Sequence, residues 1–157
     1  MDDAIGDLLR QHDTLLVRLD DTAARLVALT VPLLELLAHL EAEVEGHFAL
    51  EENALFPVLS GEALLPADTR ALFIAEHAAA RARRAELADA LRHGSVASQV
   101  LAAETLIDLL RAHVAKEDAV LTVAAATLPA VQRDEIARRM RHATESDPAT
   151  AGPLKGR

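Results

Sequence analysis

The sequence predicts an all-α protein: an up-down-up-down four-helix bundle with a short fifth helix at its C-terminal end. Three observations carry that prediction. Alanine, leucine, glutamate and arginine dominate the composition, and all favour helix. Helix-breaking signals are sparse and fall at a few places, so they divide the chain cleanly. Between them, apolar residues recur at the i, i+3, i+4, i+7 spacing of a helix with one buried face, and no segment alternates with period two for long.

The first helix is expected over residues 3–29, with Ile5, Leu8, Leu9, Leu15, Leu16, Leu19 and Leu26 on its apolar face. Thr30-Val31-Pro32 then reads as a cap followed by a proline tolerated in a first turn, and a second helix runs over 32–59. Pro57, Ser60-Gly61 and Pro66-Ala67-Asp68 end that helix and start a third over 67–92. At His93-Gly94-Ser95, glycine closes the third helix and serine caps a fourth over 96–125. The fourth carries Leu101, Leu106, Ile107, Leu109, Leu110, Val114 and Leu121. The fifth runs from Pro129 to His142. Short connections make neighbouring helices antiparallel. Residues 1–145 are expected to form one domain, and 146–157 a loose tail.

Composition narrows the chemistry. There is no cysteine, which excludes disulfides, zinc ribbons, iron–sulfur clusters and thiol nucleophiles and suits the cytoplasm. The acidic Met1-Asp2-Asp3 start leads into no apolar h-region, so no signal peptide is expected. Apolar runs fall well short of the roughly 20 residues that cross a bilayer. A net charge of −9 argues against a nucleic-acid partner. The basic runs at Arg81, Arg83, Arg84 and at Arg138, Arg139, Arg141 read as solvated helix faces.

The histidines supply the functional signal. Two residues of an antiparallel hairpin are level when they lie equally far from its turn. The midpoint of His12 and His47 falls at Thr30, that of His47 and His77 at position 62, and that of His77 and His113 at position 95. All three midpoints are expected turns, so one imidazole per helix converges at one height. The halves also repeat. His47-x-x-x-Glu51-Glu52-x-x-Leu55 is matched by His113-x-x-x-Glu117-Asp118-x-x-Leu121, and residues four apart share a helix face. His39 and Glu43 show the same spacing by chance, and His39, His93 and His142 are expected at the surface.

Burying four imidazoles and two carboxylates is costly unless a cation neutralises them. The set is too large for one tetrahedral zinc but suits two cations bridged by Glu51 and Glu117, with iron the best candidate. The Glu-x-x-His motif of ferritin-like centres does not occur in the chain. Glu43 and Glu76 are candidate acceptors for the outer N–H of a ligating imidazole, against the plainer role of surface carboxylates.

His12-Asp13, HFALEENALFP from His47 to Pro57, Glu76-His77 and HVAKEDAVL from His113 to Leu121 together resemble the hemerythrin-like, or HHE cation-binding, family over about residues 8–125. The resemblance implies two iron ions in an oxo- or hydroxo- and carboxylate-bridged di-iron centre that meets dioxygen, nitric oxide or peroxide. His12, His47, His77 and His113 would be terminal ligands and Glu51 and Glu117 bridges, with Asp118 the alternative to Glu117. Oxygen carriers of the family place a further histidine one turn before the third-helix ligand. Here that position is Phe73, which shifts the expectation from reversible carriage to redox or sensing roles. Sensor or protective binder, peroxide- or nitric-oxide-reducing enzyme, iron store and protein-binding bundle all remain open at this level.

Overall fold

The computed structural model describes residues 4–25 and 30–146, and among them every regular element is helical. Helix α1 is Ala4–Arg25. A second rod, α2, spans 30–61, an α-helix interrupted by two π-turns, Leu40–Val44 and Glu51–Leu55. Helices α3 (Ala67–His93), α4 (Val96–Thr127) and α5 (Ala130–Ser146) follow. Residues 3 and 26–29 of the expected first helix, Leu26 among them, lie outside the described residues. So does the expected tail beyond Ser146.

Local signals set the helix ends. Ser95 caps α4 by accepting from the Ser98 N–H at 3.2 Å, while the Gly94 N–H closes α3 onto the Ala90 carbonyl at 2.8 Å. A Cβ on Gly94 would come within 2.6 Å of that carbonyl, so this close approach admits only glycine. The turn after α2 differs from expectation. Gly61 still belongs to the helix, and the left-handed residue is Ala63 (φ 57°), where the Leu64 and Leu65 N–H groups fold back onto the Leu59 carbonyl. Nor does Pro57 end α2. It follows the Glu51–Leu55 π-turn, where the wider winding spares the clash and lost hydrogen bond that proline brings to a regular helix.

Helices α3 and α4 pack along each other, α1 lies against α4 and the start of α2, and α5 covers the Glu51–Leu55 turn and touches α1. The interior is divided in two. One apolar cluster holds Leu15, Leu19, Leu33, Leu87, Leu106 and Leu110; the other holds Ile5, Leu8, Phe56, Phe73, Leu121 and Ile136. Each fully buried Leu, Ile or Phe stabilises the fold by roughly 1.5–3 kcal/mol. Leu101, expected on the buried face of α4, is exposed. Among the described residues no helix is long and apolar enough to cross a membrane.

Candidate metal centre

The layer between the two apolar clusters is polar. His12 on α1, His47 and Glu51 on α2, His77 on α3, and His113 and Glu117 on α4 are all buried, none more than 6% exposed. Each sits one turn from apolar neighbours in both directions: Leu8 and Leu15 flank His12, Phe73 and Ala80 flank His77. The apolar stripes that pack the helices thereby bring the six side chains to one level.

They form two overlapping groups. Ligand atoms of His12, His47, Glu51 and Glu117 lie within 4.8 Å of one another, as do those of Glu51, His77 and His113. Glu51 belongs to both. One of its oxygens stands 2.6 Å from His47 Nε2, the other 3.3 Å from His77 Nε2. Glu117 Oε2 lies 3.4 Å from both His12 Nε2 and His113 Nε2. Yet all four carboxylate oxygens of Glu51 and Glu117 are buried without a hydrogen bond of acceptable geometry.

The outer face of each ring explains what the inner face can do. His12 Nδ1 donates to Asp118 (2.5 Å), His47 Nδ1 to the Gln11 amide oxygen (2.6 Å), His77 Nδ1 to Glu52 (2.8 Å) and His113 Nδ1 to Glu76 (3.1 Å). An ionised carboxylate can only accept, so these Nδ1 atoms carry the hydrogen and a neutral ring turns a bare Nε2 lone pair inward. The Nε2 atoms meet in pairs, His12 with His47 at 2.9 Å and His77 with His113 at 3.1 Å. Facing lone pairs repel, and unpartnered buried carboxylates are costly. Both defects vanish if cations sit among them, so the residues fit a metal centre.

The titration of the metal-free chain points the same way. Burial works against charge on His12, but Glu117, Glu51 and Asp118 outweigh it and push its pKa up to about 10, so a proton takes the cation's place there. Burial likewise opposes charge on His113, and Glu117 and Glu76 again raise it. Burial would push the Glu51 carboxyl up, yet the charge of His47 and the nearness of His12 and His77 hold it well below the usual carboxylate range.

Residues 3–125 match the model of the hemerythrin HHE cation-binding domain. The chain belongs to that family. No curated protein and no solved structure matches the chain. The hemerythrin match ends before α5, so the helix that covers the Glu51 turn lies outside it.

Some sequence expectations need correction. His39 is buried, not at the surface, with Nδ1 3.6 Å from Glu43; burial and the charge of Arg18 lower its pKa. Of the two candidate acceptors, Glu76 serves His113 and is itself paired with Lys116, whereas Glu43 serves no ring of the central layer. Gln11 and Glu52 were not foreseen. A one-residue extension of the repeat would have found them: Gln11 and Glu76 each precede a central histidine, and Glu52 and Asp118 each follow a central glutamate. Asp118, with its side chain one-third exposed, reaches the outer nitrogen of His12.

The three phenylalanines gather around the His77–His113 pair, Phe48 from one apolar cluster and Phe56 and Phe73 from the other. Phe48 stacks on His77 at 3.9 Å, Phe56 lies 5.9 Å from the same ring, and Phe73 meets His113 edge-on at 5.7 Å. Arg81 caps Phe48 from outside.

Proposed function

We propose that this hemerythrin-family chain holds two iron ions and uses them to bind or react with dioxygen, nitric oxide or peroxide. The observation that carries the reading is the convergence of four bare Nε2 atoms on two buried, unpartnered carboxylates. On this reading His12 and His47 would hold one ion and His77 and His113 the other, with Glu51 and Glu117 shared between them. The six candidate ligands include no soft donor, and mixed imidazole and carboxylate donors suit iron. When bound, the ions would supply exchangeable positions for a small molecule together with one-electron redox change.

The residues around the centre do the rest. Asp118, Gln11, Glu52 and Glu76 fix the rings so that each lone pair faces inward. Phe48, Phe56 and Phe73 exclude water from the His77–His113 side. Phe73 donates nothing to a metal, so the donor set is one short of that in the oxygen carriers, which favours a sensing, protective or redox role over reversible carriage. The same reading takes α1 to α4 as an up-down-up-down bundle, supported by the short links at 62–66 and 94–95, and residues 1–145 as one domain, with α5 running one residue further to Ser146.

Iron content and near-ultraviolet absorption of aerobically purified protein, before and after dithionite, test the proposal. Two irons per chain with bands that bleach on reduction are expected. A colourless chain that cannot be loaded with iron would overturn it.

A further inference from the structure

A cavity of about 70 Å³ lies between α1 and α2, against the His12–His47 side of the centre. Its wall includes Gln11, His12, Thr14, His39, Glu43 and His47. Organic ligands occupy pockets of roughly 300–1,000 Å³, so this one admits only a few water-sized molecules. Its outer rim is open: Thr14 is exposed, and the Glu43 side chain is 55% exposed.

Two further features converge here. The π-turn Leu40–Val44 begins one residue after His39 and contains Glu43, and such turns recur at functional sites because they re-aim side chains and open the helix wall. Most of the wall is apolar; its open hydrogen-bonding groups stand at the rim, where His39 lies 3.6 Å from the half-exposed Glu43 carboxylate, while Gln11 is already engaged by His47. An apolar gas crosses packed helices through fluctuating seams and has no use for such groups. A polar molecule leaving water does, because each hydrogen bond it loses must be replaced. The His77–His113 pair, by contrast, is packed against phenylalanine rings.

We propose that the α1–α2 cavity is the entry path by which hydrogen-bonding molecules of two or three heavy atoms, the size and chemistry of hydrogen peroxide, reach the His12–His47 face of the centre. His39 and Glu43 stand at its outer end and take up the hydrogen bonds that the entrant gives up to leave water. This rests on the di-iron reading and narrows its ligand.

Two plugs test the path: Val44→Phe, which fills the cavity from the π-turn, and Thr14→Trp, which covers its exposed rim without touching the core. The polar probe is azide added to the oxidised iron-loaded protein; the apolar probe is nitric oxide added to the reduced form. With iron content unchanged, azide association should slow at least tenfold in each folded plug variant while nitric oxide association changes less than threefold. Rates that fall together, or an azide rate that does not fall, would overturn the proposal.

A metal-independent readout separates this from the di-iron reading. Imidazole Nδ1–H exchange with solvent, followed by NMR, should be at least tenfold faster at His47, whose Gln11 partner lines the cavity, than at His77 and His113, and slowed by either plug. Absence of iron with that pattern intact would sink the di-iron centre alone. Equal exchange at these three rings would sink the path.

Discussion

Asp118 offers the most decisive perturbation, because the sequence leaves it as an alternative ligand whereas the structure puts it behind His12. Its carboxylate accepts from Nδ1 at 2.5 Å, and the Glu117 oxygens occupy the interior instead. Asp118→Asn keeps an acceptor in place and removes only the charge that enriches the ring; Asp118→Ala leaves the Nδ1–H without its partner. Loss of such an outer partner costs about 10–100-fold in metal affinity, or about 1.4–2.7 kcal/mol. With the Asp118 side chain 33% exposed, solvent screens its charge, so the asparagine variant belongs near tenfold and the alanine variant nearer a hundredfold. Glu117→Gln, by contrast, removes the oxygen proposed to bridge the ions and should lose an ion outright. The assay is competition of the protein against a chelator for ferrous ion, with stoichiometry from elemental analysis. Full loading of Glu117→Gln with loss of an ion in Asp118→Asn would reverse the two assignments. Unchanged affinity in both Asp118 variants would refute the ring-orienting role.

The metal-free chain should be pH-sensitive in a defined direction. His12 rises from an unfolded value of 6.5 to about 10, so its stabilisation is complete below about pH 6.5 and disappears as pH climbs through 10. The slope approaches ~1.4 kcal/mol per pH unit in that window. Urea unfolding of chelator-treated protein at about pH 6, 8 and 10 reads it, and a flat profile would remove the protonated His12. Glu51→Leu should abolish iron binding and lower metal-free stability by about 3–5 kcal/mol, because it removes one partner of a buried charge cluster and leaves His12 with less to balance it. Calorimetry of the metal-free pair tests this; a higher melting temperature for the variant would show that burial of the Glu51 carboxylate costs more than its partners return.

The fold was legible because periodicity and punctuation agreed. The glycine and serine at 94 and 95 each took the capping role their chemistry suggests, and the midpoint rule put His12 beside His47 and His77 beside His113. Both π-turns escaped notice, since a one-residue widening leaves the apolar spacing nearly unchanged. His39 was misjudged because its distance from the common level of the other four histidines says nothing about which way it faces. Gln11 and Glu52 were missed because a polar residue beside a ligand looks like solvent-facing helix until the neighbouring rod is in place.

The polar layer makes the interior two cores joined by a seam. Leu15, Leu106 and their neighbours consolidate on one side, and Phe56, Leu121 and Ile136 on the other. In a chain deprived of metal, the cross-section between them is the weakest plane, so the two ends can open separately. A ligand that binds only the closed form stabilises by about 2.7 kcal/mol at a hundred times its dissociation constant. Cellular proteases sample such openings. Supply of the ion would therefore govern how long each copy of the protein survives, and scarcity would thin the population before any loss of chemistry at the surviving centres.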